Sequence, residues 1–208
     1  MILSSACFAD EKEVDELLSK MRKAYRSAKT AKLVVETKVD SQDKFRAQTK
    51  VSFKSPNKIH ARTTGLPGGV EITMVSDGRR MLVSGPAGNQ GLDFSMQNAL
   101  RNLVGNLETI CFWDWQRQLS NSSGGNMQQS DLSITKDKWE GKEWIVLDED
   151  APSVGLFVRY YVDPKTYFIW RTIQMTQDEK PSKRKVIQDF VVKSLELDVE
   201  IDESIFKP

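Results

Sequence analysis

Hydrophobic positions recur along this chain with two different periods, and the change from one to the other divides it into elements. In "DEKEVDELLSKMRKAYRSAK", Val14, Leu17, Leu18, Met21, Tyr25 and Ala28 fall three and four apart, the spacing of one apolar stripe on a helix. Acidic Asp10, Glu11 and Glu13 crowd its start and basic Lys23, Arg26 and Lys29 its end, matching the helix dipole at both termini. A helix docked on a sheet accounts for the stripe. From Ala31 the pattern alternates instead. In "KFRAQTKVSF", Phe45, Ala47, Thr49, Val51 and Phe53 share one face, while Arg46, Gln48, Lys50 and Ser52 share the other. That is a half-buried antiparallel strand. "LVVETKV" precedes it through the polar turn "DSQD", and after "SPN", where Pro56 stops pairing, comes "KIHARTT". "VEITMVSDGRRMLVS" reads as a hairpin turned at Asp77-Gly78, because Asp-Gly supplies the positive φ angles of a tight turn.

"SGPAGNQG" reads as a loop, after which the period becomes helical again. Ser95 can cap a helix carrying Met96, Leu100, Leu103, Val104, Leu107 and Cys111, with Gly105 weakening its middle. Phe112, Trp113 and Trp115 extend the apolar surface beyond one stripe before "SNSSGGN" breaks the chain. The last third returns to strands. "DLSITKDKWEGKEWIVLDED" turns at Glu140-Gly141 and "LFVRYYVDPKTYFIWRTIQMTQ" at Asp163-Pro164, while "KRKVIQDFVVKSLELD" forms a strand pair or one long strand. The total is nine to eleven strands, interrupted once by a helix. The fold class is mainly β, with helices added, and an antiparallel sheet this broad must curl or close.

Composition narrows the function. With 39% hydrophobic and 28% charged residues, the 208-residue chain is neither disordered nor bilayer-spanning in character. A net charge of +1 argues against a nucleic-acid binder. Cys7 and Cys111 have no metal-ligand spacing and allow at most one disulfide. The start, "MILSSACFADEKEV", turns abruptly from small residues to charge, like the cleavage end of a secretory signal with Ala9 the last residue removed. Met1 to Leu3 is too short for a full apolar region, so residues 1–9 read as a signal remnant or disordered tail and 10–208 as one domain. The expected location is periplasmic or secreted. Lipid anchoring through Cys7 is the weaker alternative, since Ser4 suits a lipoprotein box poorly.

Catalytic chemistry is hard to assemble. The sole histidine, His60, sits on the strand face opposite Ile59 and Ala61, where a surface or structural role is ordinary. No nucleophile elbow, zinc motif or phosphate loop is present. Asp148–Asp150 reads as a solvated turn before Pro152. No catalytic residue, metal ligand or cofactor is assigned, and the expectation is a protein that is not an enzyme. The aromatic residues Phe45, Phe53, Trp113, Trp115, Trp144, Phe157, Trp170 and Phe190 serve equally well as filled core or as walls of an open cavity.

The order of these features resembles the periplasmic LolA/LolB superfamily of lipoprotein carriers. The amphipathic helix leads into "KTAKLVVETKV"; "VSFKSPNKIHAR" and "VSDGRRMLV" resemble the family's strand–Pro-Asn–strand and Ser-Asp-Gly hairpin; "YYVDPKTYFIWRTIQ" and "ESIFKP" resemble its late segments. The likeness runs from about Val14 onward. It implies an eleven-stranded incomplete β-barrel with helices over the concave face and an apolar cavity between, working outside the cytoplasm without a cofactor. Carriers of the family have an arginine immediately before the Pro-Asn pair and an aromatic shortly after it; here those places hold Ser55 and Ile59. On this reading Val35, Phe45, Val51, Phe53, Ile59, Ile72 and Met74 line the sheet side of the cavity, and Met96, Leu100, Leu103 and Leu107 form the lid. The expected ligands are lipid acyl chains or a lipoprotein, exchanged by a monomer with a membrane-bound donor or acceptor protein. The alternative is an envelope sensor or protein-interaction module on the same fold without lipid cargo.

Overall fold

The computed structural model describes residues 11–40, 44–55, 57–93, 132–151, 155–178 and 180–208. The chain begins with helix α1 (Glu11–Ser27), followed by β1 (Thr30–Val39), β2 (Phe45–Lys54), β3 (Lys58–Thr64), β4 (Ile72–Ser76), β5 (Arg80–Gly85) and β6 (Gly88–Asp93). The second run comprises β7 (Leu132–Trp139), β8 (Lys142–Ala151), β9 (Leu156–Val162), β10 (Ile169–Thr176) and β11 (Val186–Leu197). All eleven strands belong to one sheet, ordered β6-β5-β4-β3-β2-β1-β11-β10-β9-β8-β7. Every pairing is antiparallel, and β6 and β7 remain unpaired with each other, so the barrel is incomplete. Each half is a meander of adjacent hairpins, and β1 joins β11 at the centre.

The sheet has an inner face under α1 and an outer face. Alternation decides which residue goes where: on β1, Ala31, Leu33, Val35, Thr37 and Val39 are buried while Lys32, Glu36 and Lys38 face water. The stripe of α1 (Val14, Leu17, Leu18, Met21, Tyr25) packs into one cluster with Leu33, Val35, Val51, Phe53, Ile59, Met74 and Met81. The Tyr25 hydroxyl accepts the backbone N–H of Ile169 at 3.1 Å and its ring lies 4.7 Å from Phe168, fixing the helix to β10.

The Pro-Asn and Ser-Asp-Gly segments meet in space. Asn57 Nδ2 donates to the carbonyl of Gly78 at 2.8 Å. Asp77 Oδ1 accepts the N–H groups of Arg79 and Arg80, and Ser76 Oγ accepts that of Gly78. Gly78 has φ +92°, which an L side chain rarely adopts. The final short helical turn, Glu203–Phe206, completes this corner: Lys54 and Lys58 both bind the Glu203 carboxylate, and Phe206 is buried.

Two expectations are corrected. "SGPAGNQG" is not a loop: β5 runs to Gly85 and β6 begins at Gly88, with Met81 opposite Leu92 and Val83 opposite Gln90. Pairing of β6 rests on backbone hydrogen bonds rather than apolar alternation, so its polar composition concealed it. Asp148–Asp150 is not a solvated turn but the end of β8. Asp148 forms a bidentate pair with Arg159, Glu149 accepts the Tyr160 hydroxyl, and Asp150 accepts from Gln177. The helix expected over 96–111, with its yielding point Gly105, lies outside the described residues.

Candidate functional site

Of the seven sheet-side positions expected around a cavity, Val35, Val51, Phe53, Ile59 and Met74 are buried in the cluster with α1, Val35 completely. Their cover is the chain's own helix. Phe45 and Ile72 are only half-buried and stand outside that cluster, Phe45 opposite Val39 and Ile72 opposite Thr63. The lid positions Met96, Leu100, Leu103 and Leu107 lie outside the described residues, as do Trp113 and Trp115.

An apolar crevice of about 250 Å³ opens beside this core, between α1 and the edge strand β7. Leu17, Ile134, Ile145 and Tyr167 form its walls, and Glu13, Glu16, Lys20 and Lys136 its rim. The walls continue into the inner core, since Ile134, Ile145 and Tyr167 pack against the cluster that contains Leu17. Tyr167 is held there by local chemistry. It sits in the left-handed region with φ +59°, a conformation that costs an aromatic residue about 1–2 kcal/mol. Asp163 sustains it: its carbonyl accepts the Tyr167 N–H, and Oδ1 accepts the N–H groups of Lys165 and Thr166. Burial alone would raise the Asp163 carboxyl, but these bonds and the Lys142 ammonium outweigh it and hold the group below the usual carboxylate range. Lys20 lies over the Tyr167 ring at 5.7 Å.

Further along, the inner face ceases to be wholly apolar. One row across the strands reads Ala47, Thr37, Phe190, Thr172, Tyr160 and Leu147; the next reads Phe45, Val39, Gln188, Gln174, Val158 and Glu149. Thr49 and Thr63, facing each other on β2 and β3, share a hydrogen bond of 2.9 Å. Sequence reasoning did not single out this band of threonine and glutamine, although Thr37 and Thr49 occupy inward positions of strands whose alternation was plain.

The outer face carries a second, smaller core that was also missed. Trp144, Val146, Tyr161 and Ile173 are buried there, with Trp139, Trp170 and Met175 packed around them. Arg171 lies 5.2 Å from the Trp139 ring and 5.4 Å from that of Tyr161, with its guanidinium paired to Asp189. Trp170 reaches both clusters because it is the extra residue of a bulge between Ile169 and Arg171. The unbroken runs "WIVL" and "LFVRYYV" were the available signal, since strands buried on both faces lose their alternation.

Elsewhere the outer face sets cations beside acidic partners: Arg62 binds Glu71, Lys54 and Lys58 bind Glu203, and Lys193 lies 3.5 Å from Glu36. Lys38 stands directly opposite Arg46, Lys50 opposite Arg62, and Lys54 opposite Lys58. His60 shares this face, its pKa lowered by burial and by the neighbouring Arg62. Among the described residues no cluster of three His, Cys, Asp or Glu side chains can hold a metal, and no helix is long and apolar enough to cross a membrane.

No family model matches the chain, and no curated protein matches its sequence. Solved structures do. MucB in the Pseudomonas aeruginosa MucA/MucB complex matches 94% of this chain with a TM-score of 0.53 at 13% identity. The chain spans only 61% of that MucB chain. An uncharacterized conserved protein from Thermus thermophilus gives a TM-score of 0.56 at 11% identity, covering 94% of this chain and 93% of the other. A LolA superfamily protein from Nitrosomonas europaea matches more loosely, with a TM-score of 0.43 at 14% identity over 93% of this chain and 97% of that one. The likenesses to MucB and to the Thermus protein show the fold. The open eleven-stranded antiparallel sheet with its N-terminal helix is the incomplete barrel that the resemblance implied.

Proposed function

We propose that this fold serves as a non-enzymatic, extracytoplasmic binding protein for acyl chains, which enter between α1 and β7. The carrying observation is the apolar crevice of about 250 Å³ that opens at the surface between α1 and β7, with walls that pack against the inner core. Each methylene transferred there from water is worth about 0.8 kcal/mol, so a chain of about ten carbons brings about 8 kcal/mol to set against the cost of association. On this reading Leu17, Ile134, Ile145 and Tyr167 receive the chain. Val35, Val51, Phe53, Ile59 and Met74 back it, Phe45 and Ile72 extend the surface, and Met96, Leu100, Leu103 and Leu107 close over it. The unit at work is residues 10–208, acting as a monomer that exchanges lipid or lipoprotein with a membrane-bound partner in the periplasm or outside the cell.

The test is lipid extraction from the purified protein, followed by displacement of a fluorescent fatty acid. The wild type should release lipid and bind the probe. Ile134→Trp, which fills the crevice mouth, should weaken probe binding at least tenfold while leaving the circular dichroism spectrum unchanged. No extracted lipid and no probe binding would overturn the reading.

A second reading, a sensor or protein-interaction module, is favoured by the outer face. MucB is known in complex with MucA, and the exposed Arg46 and Lys50 on this face would suit an acidic protein surface. Failure of every lipid assay, together with salt-sensitive capture of an acidic partner, would favour this alternative.

A further inference from the structure

Two bulges meet on the outer face. Trp170 is the extra residue of the β9–β10 ladder. Lys193 is the extra residue of the β1–β11 ladder, skipped between Val192, opposite Val35, and Ser194, opposite Val34. The β10–β11 ladder ends between them, with Arg171 and Val191 as its last rung. A bulge re-aims a side chain and interrupts pairing, and here the two lie at a cleft of about 260 Å³. Trp139, Trp144 and Trp170 line it, with Glu140, Lys142 and Lys193 around them. The three indoles form an arc rather than a stack: Trp139 and Trp144 are tilted by 44° at 5.2 Å, Trp144 and Trp170 by 54° at 6.5 Å.

The chemistry of the cleft narrows its occupant. The rings already hold cations, Lys142 at 4.4 Å from Trp144 and Arg171 at 5.2 Å from Trp139, so a cationic ligand would compete with them. An anion would meet the Glu140 carboxylate, which has no ion-pair partner among the described residues, while Lys142 is bound by Asp163 and Lys193 stands 3.5 Å from Glu36. A hydrocarbon leaves this polar rim unanswered. A flat aromatic ring stacks on one indole of the arc but not on several tilted ones. What fits is a neutral, puckered ring with C–H groups on its faces and hydroxyls at its edge, each able to donate and to accept. We propose that the cleft binds one sugar ring of a glycan, seated against Trp139 and Trp170 with its hydroxyls reaching Glu140 and Lys193. Trp170 adds a donor. Its Nε1–H is buried without a hydrogen-bond partner, whereas Trp144 Nε1 donates to the Trp139 carbonyl at 3.1 Å. The half-buried Trp170 ring tips toward the cleft to give that N–H to a sugar oxygen. The site shares no residue with the crevice between α1 and β7, and does not depend on acyl binding.

The experiment titrates the purified protein with cellobiose, with N,N′-diacetylchitobiose and, as a flat aromatic, with adenine, followed by tryptophan emission and calorimetry. The wild type should bind at least one disaccharide with a Kd of about 0.1–1 mM and should not bind adenine. Trp139→Leu should weaken binding at least tenfold. Trp170→Phe, which removes the N–H, should weaken it about two- to tenfold. Glu140→Asn should do the same, because asparagine tolerates the φ of +49° at this turn but is too short to reach the ligand. Glu140 is exposed, so this variant should keep the wild-type urea midpoint, which separates lost affinity from lost fold. Ile134→Trp should leave disaccharide binding unchanged. Binding of neither disaccharide would overturn the proposal, as would binding of adenine in their place. Undiminished affinity in any one of Trp139→Leu, Trp170→Phe and Glu140→Asn would overturn it too, and none of these outcomes touches the acyl-binding reading.

Discussion

Replacing Gly78 by alanine should destabilise the protein in a way that depends on Asn57. A Cβ on Gly78 would stand 2.2 Å from Asn57 Oδ1, so the asparagine must swing away and give up its 2.8 Å bond to the Gly78 carbonyl. Holding alanine at φ +92° costs about 1–2 kcal/mol. The lost hydrogen bond adds about 1 kcal/mol, and the stiffer unfolded chain returns about 0.4–1 kcal/mol. Gly78→Ala should therefore cost about 1–2.6 kcal/mol, and Asn57→Ala alone about 1 kcal/mol. In the double variant the bond can be lost only once and the clash is gone, so it should cost no more than Gly78→Ala. The interaction energy is then about 1 kcal/mol. Urea unfolding of the four proteins, followed by far-ultraviolet circular dichroism, measures each number. Strict additivity of the two single effects would refute the link between the Pro-Asn turn and the Ser-Asp-Gly hairpin.

Other consequences are accessible to the same assay. Arg159→Ala should destabilise more than Asp148→Ala, because the aspartate it abandons has a side chain 9% exposed against 33% for the arginine. The equal or opposite order in urea midpoints would contradict this. His60 has a folded pKa below its ordinary value, so the unfolded chain binds the extra proton and stability should rise with pH from about 5 to 7. Because His60 is the sole histidine, His60→Gln should flatten that part of the profile. Lys50→Glu should stabilise by no more than about 0.5 kcal/mol at low salt, because Arg62 opposite it is already bound by Glu71. The gain should shrink in 1 M salt.

Local chemistry made much of the fold legible. The stripe of α1, the alternation of β1 to β3, and the turns at Asp77-Gly78, Glu140-Gly141 and Asp163-Pro164 follow from side-chain period and backbone preference. At Glu140-Gly141 both residues adopt positive φ, as a two-residue hairpin requires. What escaped is what depends on distant partners. β6 is a strand because β5 offers it a ladder, and its own side chains say little. Asp148 reads as solvent-facing until Arg159, eleven residues away, is brought beside it. The candidate site divided along the same line. Period placed Val35, Val51, Phe53, Ile59 and Met74 on one buried face, but whether α1 covers them or leaves them bare is settled by packing between elements. The crevice with Tyr167 needed a strained turn, and the outer cleft needed the bulges at Trp170 and Lys193.

The seam between β1 and β11 has a mechanical consequence. Ala31 and Leu197 form one of its outermost rungs, and Asp198 ties that end through bonds to Lys29 and Thr30. The strands are antiparallel, so once α1 and the Glu203–Phe206 turn have been drawn from their seats, tension loads this rung first and then peels the ladder pair by pair toward Val39 and Gln188. A zipper opens at far lower force than a joint sheared along its length. The division of the polypeptide into two meanders therefore follows this seam, and α1, packed against residues of both, is the strap that holds it shut.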